Sequence, residues 1–289
     1  MKSPWQFIKK INDIGNSYFN DRKKILNDVN HLKKDIESLK NQNIKINKRY
    51  DTIEAYLNKL FEEFEIEKKY CPICERVSDV FLPFSRFRRY NAVCPYCSSL
   101  ERHRQVYLYL KNKTNIFKEN IKLLHFAPEP IFHEIFSESN NIDYWPVDLF
   151  RDDSYIREKV DIENIHYKDN SFDVIFNIHV LEHVPDDKKA MEELYRVIKP
   201  QSEGGFVVTM VPISYNIDET LEKKEYDTRE LRLKYYGQPN HLRKYGKNFS
   251  KRMESVGFHV ETYTPENLIG ENLIEKYGLL NEEIFISKK

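Results

Sequence analysis

The four cysteines carry the most specific chemical signal in the chain. They fall in two pairs, Cys71-Pro-Ile-Cys74 and Cys94-Pro-Tyr-Cys97, with nineteen residues between the pairs. That is the spacing of a structural zinc site, where two tight turns each aim two thiolates at one tetrahedral ion. With all four thiolates engaged the site is closed, so Zn2+ held by Cys71, Cys74, Cys94 and Cys97 is expected to contribute folding energy and not to activate water. Two disulfides are the competing reading. The expected cytoplasmic setting and the strained rings formed by CxxC pairs disfavour them. Around the pairs, Arg86, Arg88, Arg89, Arg102, His103 and Arg104 interleave with Phe84, Phe87, Tyr90 and Tyr107. Such a mixture suits RNA, through stacking and phosphate contact, or else the wall of a zinc ribbon docked on its neighbour. Lysine plus arginine and aspartate plus glutamate both total 46. With no basic excess, the wall is the expected role.

A second set of chemistry-bearing residues follows. Ile121 to Phe126 is an apolar run ending in Ala127-Pro128-Glu129-Pro130, and Tyr144 to Asp148 reads as another strand. A carboxylate about twenty positions beyond a first strand end is where a doubly wound sheet meets ribose hydroxyls, and Asp148 fits that position. The glycine-rich turn that cradles pyrophosphate is missing, and Pro128 and Pro130 have no N–H to donate. NAD and ATP are therefore disfavoured. A phosphate-free nucleoside such as S-adenosylmethionine needs no such nest.

These residues require elements to hold them. Phe172 to Ile178 and Phe206 to Val211 read as buried strands, Ser99 to Leu110, Ile131 to Glu138 and Asp187 to Ile198 as helices, and Phe258 to Tyr263 with Ile284 to Ser287 as a closing strand pair. Alternation of this kind predicts an α/β, Rossmann-like fold with a parallel sheet covered on both faces. The expected domains are an N-terminal helix over 1–68, a zinc ribbon and linking helix over 69–110, and a Rossmann-like domain over 111–289 with an insertion at 213–250. Over the first of these, no glycine or proline occurs between Gly15 and Pro72. Ile25, Val29, Leu32, Ile36, Leu39, Ile46, Tyr50, Ile53, Leu57, Leu60 and Phe64 form a heptad seam, broken only by Asn43. A buried asparagine at that position favours a two-stranded parallel coiled coil, hence a homodimer. Trp5, Ile8, Ile11 and Ile14 beside Lys2, Lys9 and Lys10 form a short stripe that suits either peripheral membrane contact or the dimer mate. No apolar run reaches bilayer length, and 32% charged residues with a mean hydropathy of −0.69 fit a helix-rich, solvated chain, expected to be cytoplasmic.

Residues 70–289 resemble class I S-adenosylmethionine-dependent methyltransferases, type 11-like, with an N-terminal four-cysteine ribbon. The likeness rests on Cys94-Pro-Tyr-Cys97 leading into Ser98-Ser-Leu-Glu-Arg-His-Arg104, Leu124-His-Phe-Ala-Pro-Glu129, Asp169-Asn-Ser-Phe-Asp-Val-Ile175, Val180-Leu-Glu-His-Val184 and His241-Leu-Arg-Lys-Tyr-Gly246. The resemblance implies that the loop of His125, Ala127 and Glu129 holds the methionine part, Asp148 the ribose, and Asp161 with Ile162 the adenine. Asn177 completes the expected cofactor set. His183, His179 and His241 are the candidate bases, and Glu182, Arg243 and Tyr245 the candidate acceptor contacts. Asn177-Ile-His-Val departs from the Asn-Pro-Pro-aromatic signature of base-amine methylation, so DNA modification is not expected. The resemblance implies a small-molecule or glycan acceptor, such as a surface-polysaccharide precursor. RNA methylation through the ribbon, or a non-catalytic coiled-coil scaffold with a degenerate cofactor loop, are the alternatives.

Overall fold

The structure, a computed structural model, describes residues 33–49, 51, 52, 55, 68–84 and 89–289. The chain divides into two compact units, Met1–Ile66 and Glu67–Lys289. In the first, residues 33–49 form one continuous helix, as the lack of helix breakers predicts. Ile36, Leu39, Asn43 and Ile46 of the heptad seam lie on it and are exposed in the single chain. The other seam positions, the Trp5 stripe, Arg86, Phe87 and Arg88 lie outside the described residues.

The second unit begins with two small hairpins. Strands β1 (Lys69–Tyr70) and β2 (Val77–Ser78) pair antiparallel, as do β3 (Leu82–Phe84) and β4 (Arg89–Val93). The two CxxC segments form equivalent turns. Glu75 N donates to Cys71 O at 2.9 Å and Ser98 N to Cys94 O at 3.0 Å. Glu75 and Ser98 each have a left-handed φ, 57° and 58°.

Helix α1 (Glu101–Lys113) follows. Arg104 on this helix is fully buried, and donates to the carbonyls of Ala92, Ser99, Tyr277 and Gly278. Its guanidinium also lies 4.2 Å over the Phe81 ring. Arg104 and His103, weighed as nucleic-acid contacts, are thus inside the protein, because a guanidinium fork can satisfy several loop carbonyls at once. At Gly278 (φ 55°) a Cβ would come within 2.6 Å of Phe81, so this junction tolerates only glycine.

The α/β part contains β5 (Ile121–Phe126), α2 (Pro130–Ser137), β6 (Ile142–Val147), β7 (Val174–Ile178), α3 (Asp187–Val197) and β8 (Phe206–Met210). It closes with α4 (Arg229–Tyr236), α5 (Phe249–Glu254), β9 (His259–Tyr263), α6 (Pro265–Ile269), α7 (Ile274–Tyr277) and β10 (Ile284–Lys288). The six-stranded sheet runs β6-β5-β7-β8-β10-β9. Strands β5 to β8 are parallel, and β10 inserts antiparallel between β8 and β9. Between β6 and β7 only isolated bridges form, Val147 with Glu158 and Asp161 with Asn164. No strand forms before Asp161 beyond these bridges, since Arg157-Glu158-Lys159 offers no apolar row to bury.

Alternation along each strand feeds two cores. Leu124, Ile175, Val207 and Phe285 pack on one face with α3 and α5 residues such as Leu194 and Phe249. Leu123, Phe176, Val208 and Ile286 pack on the other with Val106, Phe132 and Phe136 from α1 and α2. Pro130 opens α2 at its first turn, where no N–H is missed. The Asp186 side chain caps α3 by accepting from Lys189 N at 3.0 Å. Within 213–250, the bridges Ile213–Tyr245 and Leu221–Lys244 fold the insertion back on itself, and Tyr226 stacks on Tyr235 at 3.9 Å.

Candidate functional site

The sheet order reverses between β5 and β7, and in such sheets ligands bind outside the carboxyl ends of the strands at that point. A crevice of about 380 Å³ lies there, within the usual range for small-molecule sites. Of the residues expected to act, Ala127, Asp148, Asp161, Ile162, His179 and His183 line it. Phe150 and Arg151 line it as well, and sequence reasoning missed both.

The strand ends explain the crevice's shape. Ala127 and His179, the residues just after β5 and β7, both have left-handed φ values, 48° and 55°. Ala127 N donates to Val147 O at 3.0 Å and His179 N to Met210 O at 2.8 Å, so each turn is pinned to the neighbouring strand. Asp148 Oδ1 accepts from Phe150 N and Arg151 N at 2.7 and 2.8 Å, while Oδ2 has no hydrogen-bond partner among the described residues. Asp161 Oδ1 likewise accepts from Glu163 N at 2.9 Å. Arg151 donates to Pro128 O at 2.9 Å and also engages Asp153 and Tyr155, lacing the loop after β6 to the loop after β5. Phe150 is 83% exposed at the crevice, an unused aromatic surface. The sequence offered only one hint of these two, their place within three residues of Asp148.

His125, Glu129 and Asn177, expected to hold cofactor, do not line the crevice. His125 is fully buried among Phe132, Phe136 and Phe176, with Nδ1 3.0 Å from the Tyr144 hydroxyl. Glu129 lies 3.5 Å from His125, 3.6 Å from His103 and 3.8 Å from Arg102. Burial alone would raise the Glu129 carboxyl, but the two imidazoles outweigh it and hold the group below its ordinary value. Burial holds both His103 and His125 below theirs. Asn177 is buried within the sheet, its amide donating to Thr209 Oγ1 at 3.1 Å. All three face inward because strand alternation and the α1 side of the turn direct them to the core.

Beyond β7, a 3-10 turn (Leu181–His183) presents a second polar cluster. His179 Nδ1 lies 3.0 Å from Glu182 Oε1, and His183 Nδ1 lies 3.1 Å from the Asn240 carbonyl. Burial raises and the His179 hydrogen bond lowers the Glu182 carboxyl, with a net shift downward. His241 packs against His183, ring centroids 4.8 Å apart, and burial brings its pKa down to about 4. Glu182 and His241 lie behind the crevice wall and do not line it.

Arg243 and Tyr245, expected to touch the acceptor, are also buried. Arg243 donates to the carbonyls of Leu181, Val184 and Pro185 at 2.6 to 2.9 Å and to Glu222 at 2.8 Å. The Tyr245 hydroxyl donates to Asp187 Oδ2 at 2.8 Å. Together they clamp the turn after β7 to the end of the insertion. Orphan carbonyls of that turn supply the physical reason: an arginine fork satisfies three of them.

In the ribbon, the four cysteine sulfurs lie within 4.8 Å of one another, with Cys71–Cys97 at 3.6 Å and Cys74–Cys94 at 3.7 Å. These separations exceed an S–S bond of about 2.0 Å. They approach the ~3.8 Å sulfur spacing of a tetrahedron with ~2.3 Å zinc–sulfur arms, so the four residues fit a zinc ion.

Parts of this chain are similar to known proteins. Residues 132–208 match the family described as methyltransferase domain, type 11. Phosphoethanolamine N-methyltransferase 2 of Caenorhabditis elegans is 30% identical over 126 residues, 42% of this chain. This chain spans about a quarter of that curated relative, 26% of its length. Among solved structures, a SAM-dependent methyltransferase from Archaeoglobus fulgidus aligns over 64% of this chain and 93% of its own, at 18% identity and a TM-score of 0.42. Phosphoethanolamine N-methyltransferase 2 of Haemonchus contortus, in complex with S-adenosyl-L-methionine, aligns over 65% of this chain and 52% of its own, at 15% identity and a TM-score of 0.42. Residues 132–208, from α2 through β8, thus match a methyltransferase domain, and the mostly parallel six-stranded sheet that contains them has a Rossmann-like order.

Proposed function

We propose that the chain is an S-adenosylmethionine-dependent methyltransferase acting on an oxygen or nitrogen of a polar acceptor, a glycan or surface-polysaccharide precursor. The observation that carries this reading is the crevice at the switch point, which Asp148, Asp161 and Ile162 line together with Ala127. S-adenosylmethionine supplies a methyl group already activated on a sulfonium, so the chain's residues need chiefly to bind, align and exclude water. Asp148 has an oxygen free for ribose hydroxyls, and Ile162 and Phe150 offer apolar faces for a purine. His179, oriented by Glu182 at 3.0 Å, is positioned to take a proton from an acceptor hydroxyl at its other ring nitrogen. Zinc on the four cysteines stiffens the ribbon. The exposed Ile36, Leu39 and Ile46 support a parallel coiled-coil homodimer through the N-terminal helix.

The glycan assignment rests on family resemblance. A small amine acceptor is the second reading, favoured by the phosphoethanolamine N-methyltransferase relative. RNA is less well supported, because Arg104 is spent inside the protein. Calorimetric titration with S-adenosylmethionine and S-adenosylhomocysteine tests the core of the proposal, and absence of uptake of both leaves a non-catalytic scaffold. Transfer of labelled methyl to glycan, phosphoethanolamine or RNA fractions then separates the acceptor classes. Sedimentation of the wild type and Asn43→Leu tests the dimer: a chain that sediments as a monomer removes the coiled coil.

A further inference from the structure

The cluster behind the crevice wall contains more than the methyl-transfer reading uses. Glu182, His183 and His241 bring a carboxylate oxygen and two imidazole nitrogens within 4.8 Å of one another. Glu182 is 1% exposed. Its Oε1 is occupied by His179, but Oε2, equally enclosed, has no hydrogen-bond partner among the described residues. Its only ion pair among the described residues is with His179, so neither lysine nor arginine balances the carboxylate. A buried anionic oxygen without a donor or cation is unfavourable, and a bound cation supplies what is missing.

The surroundings have the features of a built site. His183 Nδ1 faces the Asn240 carbonyl at 3.1 Å, the outer-shell contact that commits Nδ1 as donor and leaves Nε2 with a lone pair. Glu182 Oε1 has a corresponding outer contact in His179. The backbone fixes the ligands relative to one another: Leu242 N donates to Glu182 O at 2.8 Å, and Arg243 ties Leu181 O and Val184 O at 2.7 and 2.6 Å. The turn carrying Glu182 and His183 therefore cannot drift from the loop carrying His241. Arg243 acts here as a positioning residue.

We propose that Glu182 Oε2, His183 and His241 form a divalent-cation site separate from the cysteine cluster. Two imidazoles and one carboxylate suit a first-row ion such as Mn2+, Fe2+ or Co2+, in contrast to the thiolate set of the ribbon. Three protein ligands leave coordination positions open. His183 also lines the crevice, so an acceptor oxygen or amine has access to the ion from that side. The role toward an acceptor rests on the methyltransferase reading, whereas ion binding does not.

The test is Mn2+ titration of the full chain, followed by the electron paramagnetic resonance signal of free Mn2+, on protein whose ribbon zinc content has been measured. Thiolates hold Mn2+ poorly, so the titration reports the oxygen and nitrogen site. The expected result is one Mn2+ per chain beyond the ribbon zinc. Glu182→Gln and His241→Asn each weaken it by about tenfold or more with zinc content unchanged. If those buried variants fail to fold, His183→Asn at the crevice surface is expected to give the same loss. No Mn2+ uptake by the wild type overturns the proposal, as does uptake unchanged in His183→Asn and His241→Asn. Mn2+ bound by a chain that takes up no S-adenosylhomocysteine supports the site while removing the methyltransferase reading.

Discussion

The turns after β5 and β7 are built alike and end differently. Each starts with a residue in the left-handed region, Ala127 and His179, and each presents a carboxylate a few residues on, Glu129 and Glu182, among histidines. Glu129 points toward α1, where Arg102 joins His103 and His125 around it. Glu182 has a histidine as its only ion-pair partner among the described residues; each carboxylate keeps a buried Oε2 without a hydrogen-bond donor there, so the arginine is what separates the two. The same local chemistry is a structural link where an arginine completes the charge balance; where none does, and a neighbour such as His179 lines the crevice, it is available to the proposed site.

That contrast makes unequal demands on stability. The largest expected effect is at Arg243, whose replacement by methionine leaves the carbonyls of Leu181, Val184 and Pro185 without this donor and breaks its ion pairs with Glu222 and Asp187. It should cost about 4 kcal/mol in denaturant unfolding, as for other broken buried ion pairs. Glu129→Gln should cost about 2 kcal/mol, against less than about 1 kcal/mol for Glu182→Gln, while methyl transfer falls more in the latter. Equal stability losses at the two glutamates would erase the distinction. Asp148→Ala should weaken S-adenosylhomocysteine binding by about 1–3 kcal/mol, the cost of leaving ribose hydroxyls unpaired. Unchanged affinity would exclude Asp148 from the site.

Acid should act through the sealed turn. His103 and His125 are held below the ordinary 6.5 by burial, and Glu129 below its ordinary 4.5 by those imidazoles. All three therefore bind fewer protons folded than unfolded. Stability is expected to fall as pH drops below the unfolded histidine value, and further through the carboxylate range. Denaturant midpoints measured from about pH 7 to about pH 3 check this, and Glu129→Gln should remove the part of the loss that falls in the carboxylate range while leaving the histidine part in place. The smallest effect is Ala127→Gly, expected to stabilise by about 0.5–1 kcal/mol, since relief of the left-handed strain slightly exceeds the entropy cost of glycine. A melting temperature lowered by this change would show that the turn is not strained.

Several parts of this arrangement were legible without coordinates because the forces that form them are local. A CxxC turn needs only its own few residues, and both turns form the same backbone hydrogen bonds. Apolar runs such as Val174–Ile178 and Phe206–Met210 specify buried strands through continuous hydrophobicity. Pro130 and Asp186 mark helix starts through dihedral restriction and capping. Asp148 and Ala127 were recognisable from their distance past strand ends. His125, Glu129, Asn177, Arg243 and Tyr245 were assigned ligand roles and turned out to face protein, because residue type indicates a need for a polar partner without saying which.

The sequence by itself determined the pairs of metal-ligand type, the alternation of strands and helices, and the position of the crevice along the chain. Only the tertiary structure decided which polar groups the interior consumes. Tyr245 finds Asp187 and Arg243 finds Leu181 across about sixty residues of chain, and the oxygen of Glu182 is left over only once all such pairings are made. Burial and hydrogen-bond saturation belong to the packed whole, and they separate a group that holds the fold from one still free for chemistry.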